Sequence, residues 1–216
     1  MSYTRYMPEV QKILDLLKKH YPEPEIELNY KGEMQLVIAV MLSAQTTDKK
    51  VNEITKTLFQ KYPDWQTLAS ADPTQVQKDI YGVNYHKTKG ERLVKTATKI
   101  VHDFNGKVPQ NMKDLTSLPG IARKSANVIL QELWGITEGI VVDTHIKRVS
   151  KRLGLTEETR PKKVEQDLME LLPKEMWQLY SSSVVLHGRY VCTARSPKCD
   201  ECFLSEVCPS AFSLED

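Results

Sequence analysis

The chain has 216 residues, a formal net charge of +2, and 40% hydrophobic residues. This length suits one large or two small domains with a real core, and the slight charge excludes binding to polyanions through overall charge alone. The longest apolar run, Leu36 to Leu42, is too short to span a bilayer, and the N-terminus lacks the apolar region of a secretory signal. We therefore expect a cytoplasmic protein.

Apolar residues recur at helical spacing along most of the chain, without the sustained alternation of β-strands. We expect helices after Pro8 and over Asp48 to Tyr62, Lys89 to Phe104, Pro161 to Leu172 and Glu175 to Val191. The run Leu36 to Leu42 is apolar on every side, which predicts a central buried helix. Asp72 and Pro73 are typical of an N-cap and a first helical position, with Gln75 completing a capping box. The sequence predicts an all-α fold.

A sharp turn between two helices is predicted within Leu115 to Leu130. Leu118-Pro119-Gly120 ends a short helix, Gly120 permits a positive φ, and a second helix begins at once. Such a turn leaves backbone N–H groups at a helix N-terminus, where they can bind a phosphate without side-chain charge. An ordinary helix corner is the alternative.

Lys124 lies in the first turn of that second helix, at the positive end of the helix dipole. The field there disfavours an ammonium and favours the free amine, the form that attacks as a nucleophile. The alternative is a solvent-facing lysine that tolerates a penalty of about 0.3–1 kcal/mol.

Asp143 follows a short apolar run and precedes a helical stretch, so its simplest role is an N-cap. If the fold brings it towards Lys124, its carboxylate can help deprotonate the amine and stabilise a cationic transition state. His145 is either a phosphate contact or a satisfied polar residue. Basic residues cluster after it, which favours an anionic partner: Lys147, Arg148, Lys151, Arg152, Arg160, Lys162 and Lys163.

All four cysteines lie within the last part of the chain: Cys192, Cys199, Cys202 and Cys208. Their number suits one tetrahedral metal ion or one four-iron cluster. Zinc sites usually draw on two C-x-x-C pairs, whereas only Cys199 and Cys202 form one here, which favours the cluster over zinc. Disulfides would need an oxidising compartment.

The segments L-P-G-I-A-R-K-S-A, V-D-T-H and C-x6-C-x2-C-x5-C, together with Leu42-Ser43-Ala44-Gln45-Thr46-Thr47-Asp48, resemble endonuclease III of the helix-hairpin-helix DNA glycosylase superfamily. The resemblance implies two helical domains with DNA in the cleft between them. Residues 26–136 would form a six-helix barrel with the helix-hairpin-helix. Residues 1–25 and 137–216 would hold a [4Fe-4S] cluster on the four cysteines.

The resemblance also implies a function in base excision repair. The chain would be a monomeric bifunctional DNA N-glycosylase and abasic-site lyase that removes oxidised pyrimidines from duplex DNA, associated with the nucleoid in a prokaryote. Lys124 would form a Schiff base, assisted by Asp143. The expected DNA contacts are Gln45, Asp48, Val83, Lys87, Gly120, Ala122, Ser125, His145, Arg148, Arg195 and Lys198. Gln45 would fill the gap left by a flipped nucleotide, and a monovalent cation could join the hairpin.

Two positions depart from the family pattern. Ala122 replaces the second glycine of the hairpin, and the second wedge is Val83, which is shorter than the usual leucine, so Tyr85 could share its role. The alternatives are excision of thymine or uracil from mismatches and a damage-binding protein without catalysis.

Overall fold

The computed structural model describes residues 7–213, in which the regular structure is helical and no β-strand is present. The all-α prediction is confirmed. The chain divides into two compact units. The continuous unit is Glu27–Ile136, and the discontinuous unit combines the chain on either side of it. None of the helices in the described range has the length and apolar character needed to cross a bilayer.

Seven α-helices form the continuous unit. They are α2 (Gly32–Ser43), α3 (Asp48–Lys61), α4 (Trp65–Ala69), α5 (Pro73–Asp79), α6 (His86–Asp103), α7 (Met112–Ser117) and α8 (Arg123–Trp134). The side chains from Leu36 to Leu42 are all buried, as the sequence predicts for a central helix. Helix α2 packs on α3, α6 and α8. Each large apolar side chain removed from water there stabilises the fold by about 1.5–3 kcal/mol.

Helix starts in this unit follow their capping residues. Asp72 accepts a hydrogen bond from the amide of Thr74 at 3.0 Å, and Pro73 is the first residue of α5. The predicted capping box is wrong, because the Gln75 side chain donates to Asp79 Oδ1 at 2.9 Å instead. Helix α6 begins earlier than expected, at His86, after Tyr85 adopts a left-handed backbone with φ 60°.

The discontinuous unit contains α1 (Met7–His20), α9 (Thr144–Arg152), α10 (Pro161–Leu171) and α11 (Trp177–Tyr190). Short 3₁₀ turns occur at Lys174–Met176, Cys199–Glu201 and Ser205–Val207. Its core includes Leu14, Leu17 and Val184, and the buried Tyr180 hydroxyl is satisfied by Ser150 at 2.7 Å. This core packs against partly buried Cys192, Cys202 and Cys208, so the cysteine segment is part of the folded unit.

Gly90 provides a test of the helix packing in the continuous unit. A Cβ at this position would lie 2.9 Å from the backbone nitrogen of Gln77, on the neighbouring α5. Because a backbone atom cannot swing away, Gly90→Ala should destabilise the protein by about 1–3 kcal/mol in urea denaturation. Thr88→Ala, at an exposed position of the same helix, should change the free energy of unfolding by less than about 0.5 kcal/mol. Equal stabilities of the two variants would contradict this packing.

Candidate active site and cluster-binding segment

The turn between α7 and α8 has the geometry that the sequence predicts. Gly120 has φ 90°, a conformation that favours glycine. A Cβ there would also meet the Arg92 side chain at 2.9 Å and Met41 Cε at 3.3 Å. The hydroxyl of Thr96, on α6, donates to the carbonyl oxygen of Pro119 at 2.8 Å and so holds the turn against that helix. The hairpin is therefore held by specific contacts as well as by its sequence.

The start of α8 has no side-chain cap, as is also true of α2, α6, α10 and α11, whereas five other helices of the described chain have one. Thr47, Asp64, Asp72, Asn111 and Asp143 each cap a helix through a side-chain oxygen. Ala122 caps α8 and makes no side-chain cap hydrogen bond. The N-terminus of α8 therefore has the dipole of a helix start, and the residue at its N-cap position supplies no side-chain oxygen.

Ala122 fits this position without strain. Its backbone has φ −90° and ψ 168°, an extended conformation that alanine adopts readily. The replacement of the second family glycine by alanine thus leaves the turn geometry intact. Ala122 is exposed and Ser125 is half-buried, so both can face a ligand at this helix start.

Lys124 is the second residue of α8 and its side chain is exposed. Its placement in the first turn agrees with the sequence prediction. An ammonium there lies at the unfavourable end of the helix dipole, which makes a purely stabilising role a poor explanation for a lysine.

Asp143 is the N-cap of α9 in the discontinuous unit, whereas Lys124 belongs to the continuous unit. Its Oδ1 accepts a hydrogen bond from the amide of Ile146 at 2.8 Å. The capping role expected from the sequence is present. The cap holds the half-buried carboxylate in a fixed orientation at the start of the helix.

Gln45 lies on an exposed loop between α2 and α3, with its backbone in the left-handed region at φ 57°. The side chain of Asn84 donates to the carbonyl oxygen of Gln45. The amide of Asn84 also donates to Thr46 Oγ1 at 3.2 Å. The loop that carries the predicted gap-filling residue is thus joined to the loop before α6. Asp48, the first residue of α3, is half-buried beside it.

The loop before α6 presents a different side chain from the one predicted. Val83 is only 2% exposed, whereas Tyr85 is 64% exposed. Val83 is therefore buried in this structure rather than placed on the surface as a wedge, because it packs inside the turn that precedes α6. Lys87 is exposed in the first turn of α6.

Lys89 is a buried cation that the sequence analysis missed. Its Nζ donates to the carbonyl oxygens of Leu42 at 2.7 Å and Ala44 at 2.6 Å. Burial lowers the pKa of this amine to about 8. A signal was available, because Lys89 is in helical phase with the buried apolar residues Leu93, Ala97 and Ile100.

Arg148, a predicted DNA contact, is engaged within the discontinuous unit. Its Nη2 donates to the carbonyl oxygens of Gly188 at 2.8 Å and Cys192 at 3.0 Å. Burial is the main cause of a lowered Arg148 pKa. His145 Nδ1 lies 3.3 Å from the same nitrogen. Arg148 thus has a structural role that the sequence pattern does not predict, while Arg195 and Lys198 are exposed.

The four cysteines line one pocket of about 390 Å³, a volume that includes space open to solvent. None of the four is in a disulfide. In residues 7–213 no three His, Cys, Asp or Glu side chains gather closely enough to hold a single metal ion. Tetrahedral zinc thiolates need sulfurs about 3.8 Å apart, from Zn–S bonds of about 2.3 Å. Four soft thiolate ligands from one short segment fit the ligand set of an iron–sulfur cluster.

Side chains around this pocket contact the thiols. Arg152 Nη1 lies 3.2 Å from Cys192 Sγ, and His187 Nε2 lies 3.5 Å from Cys202 Sγ. Such hydrogen bonds to ligand sulfur orient the ligands and tune a cluster. These two residues were also missed, because a histidine or arginine far along the chain carries no spacing signal that links it to a cysteine.

Comparisons with known proteins agree with this geometry. Residues 38–174 match the family described as HhH-GPD superfamily base excision DNA repair protein, and residues 192–208 match the iron-sulfur binding domain of endonuclease III. Endonuclease III of Synechocystis sp. is 46% identical over 200 residues, which cover 93% of this chain and 91% of that protein. The chain belongs to the endonuclease III family.

Solved structures agree with membership in the endonuclease III family. A trapped endonuclease III–DNA covalent intermediate, in an estranged-adenine complex, is 34% identical, with a TM-score of 0.88 over 99% of this chain and 98% of that chain. A thermostable thymine-DNA glycosylase is 20% identical, with a TM-score of 0.83 over 96% of this chain and 98% of that chain, and shares the fold. The expected family and the expected [4Fe-4S] cofactor are confirmed.

Replacing a cysteine should remove the cluster and unfold the segment around it. In Cys202→Ser we expect loss of bound iron and sulfide, measured chemically and by visible absorbance, together with lower stability of the discontinuous unit. Ser213→Ala, near the end of the described chain, serves as a control and should keep the wild-type iron content. A Cys202→Ser protein that retains four iron atoms would contradict ligation by this thiol.

The buried Lys89 amine should make stability depend on pH. Its pKa is about 8 in the folded protein, against 10.5 for the ordinary side chain, so the unfolded chain binds more protons between these values. The free energy of unfolding of the wild type, relative to Lys89→Met, should therefore increase as pH rises from 8 towards 10.5. Urea denaturation at several pH values measures this difference. For Lys95→Met, at an exposed position, the difference in the free energy of unfolding from the wild type should not change with pH. If the difference for Lys89→Met does not change with pH either, burial of the Lys89 charge is refuted.

Proposed function

We propose that this chain is a bifunctional DNA N-glycosylase and abasic-site lyase that removes oxidised pyrimidines from duplex DNA. One observation carries the proposal: an exposed lysine, Lys124, lies in the first turn of a helix whose N-terminus has no side-chain cap. A phosphate bound at that N-terminus would hold the DNA backbone beside the amine. Membership in a base excision repair family supports this reading.

Lys124 would act as the nucleophile. Its unprotonated amine attacks the sugar C1′, the bond between C1′ and the base breaks, and the base leaves with the electron pair and takes up a proton. The nitrogen then loses one proton, its electron pair breaks the bond between C1′ and the ring oxygen, and that oxygen takes up a proton, which leaves a protonated Schiff base between Lys124 and C1′. Removal of a proton from C2′ then breaks the bond from C3′ to the 3′ phosphate oxygen, which nicks the strand on the 3′ side.

Asp143 would provide the negative charge that this chemistry needs. The carboxylate can accept a proton from the lysine ammonium and stabilise the cationic sugar as the base leaves. Its cap to Ile146 leaves the group ordered before DNA binds, which lowers the cost of arranging it during the reaction. The half-buried setting strengthens its electrostatic effect relative to bulk water.

DNA binding would combine backbone donors with a few side chains. At the hairpin, Gly120, Ala122 and Ser125 would hold a phosphate, with a monovalent cation as an optional partner. Gln45 would enter the gap left by the flipped nucleotide, and the exposed Tyr85 would take the wedge role in preference to Val83. Further contacts would come from Asp48, Lys87, His145, Arg195 and Lys198.

The two units would divide this work. The continuous unit would be the six-helix barrel with the helix-hairpin-helix, and the discontinuous unit would be the cluster domain. The [4Fe-4S] cluster would order the segment that presents Arg195 and Lys198 rather than take part in bond breaking. We propose that the protein acts as a monomer on chromosomal DNA in the cytoplasm.

Borohydride trapping tests the nucleophile. The wild type should form a covalent complex with duplex DNA that contains thymine glycol, because borohydride reduces the Schiff base. Lys124→Ala should reduce the trapped yield by at least about a hundredfold, because without the lysine amine no Schiff base forms with the sugar. Lys113→Ala, an exposed lysine on α7, should trap at the wild-type level.

Trapping by Lys124→Ala at the normal yield would refute the assignment of the nucleophile. If the wild type binds the DNA but does not nick the strand, the protein is a damage-binding protein instead. Faster release of thymine from a G·T mismatch than of thymine glycol would replace the proposed lesion class with mismatches.

A further inference from the structure

The C-terminal end of α2 has an unusual partner. The last carbonyl groups of a helix lack intrahelical donors and carry partial negative charge. Helix α2 has no basic residue in its own last turn. The ammonium of Lys89, the fourth residue of α6, donates to the carbonyl oxygens of Leu42 and Ala44 instead. A cation from another helix therefore satisfies carbonyl groups at the C-terminal end of α2.

The contacts of Lys89 continue into the loop that follows α2. We define residues 44–47 as the Gln45 loop. Lys89 Nζ binds the carbonyl oxygen of Ala44 at 2.6 Å and lies 3.4 Å from Thr46 Oγ1. Lys89 therefore contacts both residues that flank Gln45 in the sequence. The backbone of Gln45 itself is left-handed at φ 57°, which costs a non-glycine residue about 1–2 kcal/mol. Such a conformation persists only where its surroundings hold it.

Asn84 supplies a second restraint on the same loop. Its side chain donates to the carbonyl oxygen of Gln45, and its backbone N–H donates to Thr46 Oγ1 at 3.2 Å. Thr46 therefore connects Asn84 to Lys89. The Gln45 loop and the loop before α6 are joined by hydrogen bonds into one assembly, and the buried Lys89 ammonium contacts the Gln45 loop.

The helix that carries Lys89 is closely packed against α5. Lys89 is followed by Gly90, where α6 approaches the backbone of α5 so closely that a Cβ would lie 2.9 Å from Gln77 N. Lys89 itself is 7% exposed, so a duplex on the surface cannot reach its amine directly. Any influence of Lys89 on DNA must pass through the groups that it holds.

We propose that Lys89 is a positioning residue that holds the Gln45 loop in the conformation needed to fill the gap left by a flipped nucleotide. The proposal rests on the proposed function, because it takes Gln45 as the gap-filling residue. Its physical basis is preorganisation: the strained backbone of Gln45 is ordered before DNA arrives, so DNA binding need not supply that ordering free energy. A lysine that serves only global stability would lack this specific dependence on Gln45.

Hydrogen exchange of the free protein tests whether Lys89 holds the loop. Lys89→Met keeps an unbranched side chain of similar bulk up to the Cε position and removes the donors. Amides of residues 44–47 and of Asn84 should exchange at least about tenfold faster in Lys89→Met, whereas those of α3 and α8 should be unchanged. Lys95→Met, at an exposed position on the same helix, should leave the loop at the wild-type rate. Unchanged exchange of the Gln45 loop in Lys89→Met would overturn the proposal.

A double-mutant cycle tests whether Lys89 acts through Gln45. Single-turnover excision of thymine glycol is measured with saturating folded enzyme for the wild type, Lys89→Met, Gln45→Ala and the double variant. In the wild-type background, Lys89→Met should slow excision about tenfold, and in the Gln45→Ala background by less than about twofold. Equal losses in the two backgrounds would overturn the proposal, because they would mean that Lys89 acts independently of Gln45.

Asn84→Ala keeps the test decisive if Lys89→Met fails to fold. Asn84 is exposed and restrains the same loop, so its variant should speed exchange of residues 44–47 and should show the same dependence on Gln45. Additive losses for Asn84→Ala and Gln45→Ala would then count against the proposal. If the wild type excises no lesion at all, the proposed function fails, whereas the exchange experiment still decides whether Lys89 holds the loop.

Discussion

The ends of helices constrain this fold more than any single contact, because each end leaves backbone N–H or C=O groups without an intrahelical partner. At several helix starts the chain provides a local partner, such as Asp64 or Asn111 at an N-cap. At α2 the partner is Lys89, and near the end of α11 it is Arg148, which binds the carbonyl oxygen of Gly188. At the start of α8 no side-chain cap is made. The proposed chemistry requires a phosphate at this helix start.

Much of this arrangement could be predicted from the sequence, because local rules govern it. Asp72-Pro73 and Asp143 are short-range capping signals, and the positive φ at Gly120 follows from a turn that must begin a helix at once. The run Leu36 to Leu42 predicts its own burial from composition alone. The cysteine spacing predicts a shared site because the four residues are close along the chain. In each case the residues that interact are near one another in the sequence.

The rest could not be predicted because it depends on contacts between distant segments. Lys89 lies more than forty residues from the carbonyl groups that it binds, and nothing in its neighbourhood specifies them. Arg148 looks like a surface cation until the carbonyl oxygen of Cys192, on another segment, is known to lie beside it. Val83, expected as a surface wedge, is 2% exposed, whereas Tyr85, expected to share that role, is 64% exposed. Helical periodicity gives the face of a residue but not the partner that this face meets.

Lys89 and Lys124 show how one residue type serves opposite purposes at opposite helix ends. Lys89 meets the C-terminal end of α2, where the helix dipole and the carbonyl oxygens favour an ammonium, although burial lowers its pKa to about 8. Lys124 lies at the N-terminal end of α8, where the dipole disfavours an ammonium and where the side chain is exposed. A structural cation belongs where its charge is satisfied, and a nucleophilic amine belongs where its charge is least stabilised. The helix termini of the continuous unit therefore separate the lysine that we propose holds the Gln45 loop from the lysine that we propose attacks the sugar.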